Sequence, residues 1–270
     1  MKVSFSKPRA PKSGALVVFA LPGHKLGPVA EALDGTCDGA IRRAIKAATF
    51  KGERGDIVEL YGVPGAGVNR LVVAGLGRAS ELDALKVEQI GAALARKLLT
   101  SGEKAVTVTV DDGIDGLKLA PEELAAHVAF GFSMRAYRFD RYLTTEPAAK
   151  KSSVKTLTVM APSPGKAEAA YGSLEAVMDG ITMARDLMFE PGNVIYPDSY
   201  AREVQKLDKL GLKVEVLSEK DMRKLDMNAL LGVGQGSANE SRLVVMEWRG
   251  ADDPKAEPVA FVGKGVTFDT

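Results

Sequence analysis

The chain has little of what several common functions require. It has one cysteine, Cys37, in 270 residues. No internal disulfide can form, and such usage fits a reducing compartment. Its two histidines, His24 and His127, fall in no zinc-type Cys/His spacing. No G-x-S-x-G sequence occurs, so a nucleophile elbow has no local signature. Apolar runs are short, and none approaches the roughly 18 residues of a membrane span. The run at 15–21 follows Pro8, Pro11 and Gly14 and reads as a strand, not a targeting segment. Lysine and arginine are not clustered and the net charge is +1, so nothing electrostatic favours nucleic acid. These absences together point to a soluble, cytoplasmic protein.

What is present is a globular balance. With 46% hydrophobic and 26% charged residues, the chain can bury substantial cores in one large or two ordinary domains. Short apolar runs predict strands at 15–21, 56–61, 70–74, 105–110 and 154–160. Helical patterns alternate with them at 39–48, 82–99 and 122–137. In the second helix Val87, Ile90, Leu94 and Leu98 form a stripe of helical period, and Pro121 with two glutamates opens the third. Strands interleaved with helices predict an α/β domain with a mainly parallel sheet. A boundary falls at Pro162-Ser-Pro-Gly165. Beyond it Leu174, Met178, Ile181 and Met188 stripe a long helix that Pro191 and Gly192 end. A second α/β pattern follows: a helix from Pro197 and strands at 213–217, 242–248 and 258–262. Trp248, at the end of one of these strands, is expected to pack in the core.

The last strand leads into the most informative residues. It delivers Gly263-Lys264-Gly265, and Asp269 follows five residues after the lysine. On an ideal strand such positions point to opposite faces. The two can share a site only if the chain leaves strand geometry, which the glycines permit. A lysine there can hold an anion, act as a nucleophile, or bind metal as a neutral amine once its pKa is depressed. Taken alone, Gly-Lys-Gly at a strand end reads as a surface turn. The other glycine-rich stretches are weaker. Gly232-Val-Gly-Gln-Gly-Ser237 matches no phosphate loop and reads as a tight turn, and Gly62-Val-Pro-Gly-Ala-Gly67 reads as a hairpin or loop. His127, His24 and Cys37 read as structural or surface residues.

The run Val262-Gly-Lys-Gly-Val-Thr-Phe-Asp-Thr270 resembles the signature of the leucyl aminopeptidase family, the cytosol aminopeptidases, which are two-metal exopeptidases. Ala184-Arg-Asp-Leu-Met-Phe-Glu-Pro-Gly-Asn193 and Leu230-Leu-Gly-Val-Gly-Gln-Gly-Ser237, leading into Arg242-Leu-Val-Val-Met-Glu-Trp248, agree in order and spacing. Arg70-Leu-Val-Val-Ala-Gly-Leu-Gly77 is similar to the strand and turn of the family's N-terminal domain. Phe189 departs from the pattern, standing where the family usually has Asn.

The resemblance implies an α/β architecture in three parts: a macro-domain-like N-terminal α/β domain over 1–162, a connecting helix over 163–190, and the opening of a metallopeptidase catalytic domain over 191–270. It implies that Lys264 binds one of two divalent metals, Mn2+ or Zn2+, and that Asp269 bridges or binds both. The implied activity is release of N-terminal residues, preferably leucine and other large apolar ones, from peptide substrates by a homohexamer. Family chains are about twice this length. Their catalytic lysine and arginine and remaining ligands correspond to positions beyond Thr270, so no catalytic residue is assigned and the chain alone is expected to be inactive. An alternative of another class is that the N-terminal domain, resembling macro domains, binds ADP-ribose-like nucleotides. A further alternative is an inactive truncated fragment.

Overall fold

The computed structural model describes residues 1–11, 13–253 and 255–267. The chain divides into two compact units, Met1–Thr182 and Met183–Thr270.

The first unit runs β1 (Lys2–Ser6), β2 (Ala15–Leu21), β3 (Lys25–Leu26), α1 (Pro28–Thr36), α2 (Ala40–Ala47), β4 (Ile57–Tyr61), β5 (Arg70–Gly75), α3 (Ala84–Leu98), β6 (Ala105–Thr109), α4 (Pro121–Ala136) and β7 (Thr156–Met160), then enters α5 (Pro164–Phe189). The strands form one sheet in the order β1-β7-β6-β2-β5-β4, with β3 paired to β2. β1, β7, β6, β2 and β5 are parallel, and β4 returns antiparallel to β5. β2, near the middle, reads as an unbroken apolar run because both of its faces are covered. Ala15, Val17 and Phe19 join one core with α3 and α4, while Leu16, Val18 and Ala20 join a second with Ile41 and Ile45 of α2. Burying each large side chain contributes roughly 1.5–3 kcal/mol, so this two-sided packing holds the unit together.

The stripe expected on α3 is the buried one: Val87, Ile90, Leu94 and Leu98 are at most 2% exposed. α3 meets α4 through glycines. A Cβ on Gly91 would lie 2.3 Å from the Val128 carbonyl oxygen, and one on Gly131 would lie 2.0 Å from that of Glu88. At the antiparallel edge Arg70 Nη1 donates to Glu59 Oε1 at 2.6 Å, and Lys97 Nζ lies 2.7 Å from Glu59 Oε2. Burial works against ionisation of Glu59, but these cationic hydrogen bonds outweigh it and hold its carboxyl below the usual range.

Three elements here went unforeseen, β3 among them because two residues cannot display an alternation. β1 is a short alternating edge strand in which only Val3 and Phe5 face the core. α1 begins with Pro28 at its first turn and ends at Thr36, too brief for a clear apolar period.

The second unit runs α6 (Pro197–Gln205), β8 (Lys213–Leu217), α7 (Glu219–Lys224), α8 (Asn228–Gly234) and β9 (Leu243–Glu247), with β8 antiparallel to β9. Its buried apolar residues are Ala201, Val204 and Met222. Three expectations need correction. Residues 258–262 are not a strand: they carry no regular structure, and Val259, Phe261 and Val262 are 79%, 94% and 98% exposed. A strand needs a neighbour for its backbone groups, and among the described residues neither β8 nor β9 pairs with this run. Trp248 is 65% exposed, lying past the end of β9 with its ring edge against Gly211. Gly232 to Gly234 close α8, and only the residues after them turn.

Along α5, Leu174 and Met178 pack on the first unit's core as the stripe requires, whereas Met188 is exposed.

Candidate functional site

Lys264 lies in an exposed, irregular segment. Among the described residues nothing lies within 4 Å of a Cβ built on Gly263 or Gly265. No ion pair engages the Lys264 ammonium among the described residues. Asp269 lies outside the described residues, so the structure does not bring the two together. No group of three or more His, Cys, Asp and Glu side chains that could hold a metal ion occurs among the described residues. Amine and carboxylate donors suit manganese or zinc as part of a larger set, and Lys264 is uncommitted. A complete centre is not assembled by the residues described.

A second carboxylate stands where α/β sheets bind ligands. After β2 the chain moves through α1 and α2 toward β4 and β5. After β6 it moves through α4 to β7, on the opposite side. The crevice outside the carboxyl ends of β2 and β6 is therefore a topological switch point. Asp111, two residues beyond β6, is fully buried there. Its Oδ1 accepts the Val29 backbone N–H at 2.6 Å, in the first turn of α1. Its Oδ2 has no hydrogen-bond partner among the described residues. A Cβ on Gly27 would lie 2.5 Å from that oxygen, so glycine is what lets the turn close over it. Burial pushes the Asp111 pKa up to about 6, with the Val29 hydrogen bond acting in the other direction. Sequence reasoning passed over this residue. The available signal was an aspartate directly after an apolar strand and before Asp112-Gly113.

The other polar residues have structural partners. His24 Nε2 lies 2.8 Å from the Phe50 carbonyl oxygen, and His127 Nδ1 lies 2.9 Å from Glu88 Oε1, joining α4 to α3. Cys37 is buried. Gly62 to Gly67 form the expected link between β4 and β5. An open depression of about 320 Å3 there is lined by Ser13, Gly62, Val63, Gly67, Val68 and Asn69, with no charged group among them.

Two models of one family match the chain in order. The cytosol aminopeptidase N-terminal domain matches residues 17–146 and the catalytic domain matches residues 182–270. The chain belongs to the cytosol aminopeptidase family. It is 42% identical over 262 residues to the protein named "Probable cytosol aminopeptidase" of Caulobacter vibrioides, covering 97% of this chain and 52% of that one. It is 41% identical to the protein of that name from Chelativorans sp., covering 99% and 53%. The chain thus spans about half the length of the curated relatives it matches.

Among solved structures, a mutant of tomato leucine aminopeptidase superposes with a TM-score of 0.76 at 22% identity, over 90% of this chain and 50% of that one. The bottromycin maturation enzyme BotP in complex with Mn superposes with a TM-score of 0.63 at 22% identity, over 86% and 44%. At these identities the likeness is one of fold. The mixed α/β architecture, with its macro-like N-terminal domain and the opening of the peptidase domain, is the fold of this family.

Proposed function

We propose that the whole protein is a dinuclear metal-dependent aminopeptidase that releases N-terminal residues, preferably leucine and other large apolar ones, from peptides. The supporting observation is that both domain models of one aminopeptidase family match this chain in order. In this reading residues 1–162 form the N-terminal domain, 163–190 the connecting helix and 191–270 the start of the catalytic domain. Lys264, as a neutral amine, and Asp269, as a carboxylate, each supply a ligand to a pair of Mn2+ or Zn2+ ions. Bound metals of this kind activate water and polarise the scissile carbonyl.

The chain's own contribution is to present Lys264 between two glycines, so that the backbone can curl and bring the amine toward Asp269. Burial of that amine beside a dication would depress its pKa and free its lone pair. Two protein ligands are too few for two ions, since even one catalytic zinc usually takes three. Residues 1–270 alone are therefore proposed to be inactive. The working enzyme is proposed to be a cytoplasmic homohexamer.

The test is hydrolysis of a leucine chromogenic anilide with added manganese, and then with a chelator. In the full-length protein, activity that the chelator abolishes and that Asp269→Ala reduces by more than about a thousandfold supports the reading. Near-normal turnover by that variant sinks the assignment of Asp269.

A further inference from the structure

We infer that Asp111 is a protonation-dependent latch: while neutral it stays buried and ties the turn between β2 and α1 to the loop between β6 and α4, and when ionised the cost of its buried charge drives that junction to open to water. The geometry carries the inference. Asp111 is fully buried at the switch point, one oxygen holds the Val29 N–H, and the other is sealed against Gly27 with no hydrogen-bond partner among the described residues. A buried carboxylate satisfied on one oxygen only is costly in its charged form.

Charges on the surrounding elements do not relieve it. β2, β6 and β7 carry no ionisable residue. In the preceding turn His24 is engaged with Phe50, and Lys25 pairs with Asp115. On α1, Glu31 pairs with Arg42, and Asp34 bonds the Ile41 and Arg42 N–H groups. Asp112 is the adjacent exposed carboxylate and could only oppose a second negative charge. The Val29 N–H, at the positive end of α1, favours the charge, and its effect is smaller than the desolvation.

The sign follows. The folded pKa of about 6 lies above the ordinary value of 3.8, so the native state binds the proton more tightly than the unfolded one. The contribution of Asp111 to stability is fully present while it is protonated and is lost as pH climbs from about 4 to about 6.

The test uses this chain. In the wild type, the Val29 amide resonance is expected to titrate with a midpoint near 6, and Asp111→Asn should abolish that step. Unfolding, followed on the amide resonances of β2, β5 and β6, should show the Asn variant's gain in folding equilibrium constant to be about tenfold larger at pH 7.5 than at pH 5. A midpoint below about 4.5, or persistence of the step in the variant, overturns the latch. An equal effect of the variant at both pH values does so as well. The wild-type titration needs no substitution, so poor folding of the variant does not blunt the test.

Discussion

The two compact units obtain order from apolar residues with very different success. In Met1–Thr182 the sheet is covered on both faces, and Phe19, Leu71, Leu94, Phe132 and Leu157 are essentially inaccessible. In Met183–Thr270 the sheet has two strands, few side chains are fully buried, and Val245, Met246, Phe261 and Val262 face solvent. The apolar strings at 15–18 and 259–262 are similar in composition, yet one is a central strand and the other irregular. Composition sets what a segment could bury, and neighbours decide whether it does.

Substitutions should separate the units accordingly. The largest loss is expected for Leu94→Ala, about 3–4 kcal/mol, from the cavity it leaves between α3 and the sheet. Phe261→Ala removes a larger side chain yet should stay within about 0.5 kcal/mol. Urea unfolding of the two variants checks the contrast, and comparable losses would refute it. Next is Gly131→Ala. The added methyl has no room beside the Glu88 carbonyl, so α3 and α4 must part at about 2–3 kcal/mol; a lowered thermal midpoint with an unchanged final baseline would report it. Smaller than either core change is Asp34→Ala, about 1 kcal/mol, through loss of the carboxylate that accepts the Ile41 and Arg42 N–H groups at the start of α2. Faster amide exchange confined to α2 and its approach is the expected signature.

Much of the first unit could be read in advance because its segments are self-announcing. β2 is apolar throughout and bounded by Gly14 and Pro22, α3 carries an unbroken stripe, and Pro121 marks the start of α4. β1 escaped because an edge strand shows only two apolar residues, and α1 because nine residues span too few turns to display a period. The 258–262 run misled in the other direction, since β-propensity describes a surface that fits a sheet and cannot supply the sheet. The candidate metal ligands were visible only through the resemblance of Val262 to Thr270 to a family signature. The spacing of Lys264 and Asp269 leaves open what joins them. Asp111 was invisible for a different reason: its role depends on Gly27 and Val29, more than eighty residues away, converging on it through the sheet.

The exposed indole beyond β9 gives the molecule an uneven optical voice. Trp248 is the sole tryptophan, so indole emission reports on Met183–Thr270, while the larger unit is seen only through its tyrosines. Because the ring is already wet in the native state, its emission maximum should lie well to the red and shift little on denaturation. A fluorescence melt of this chain can therefore look flat while the doubly covered sheet is coming apart.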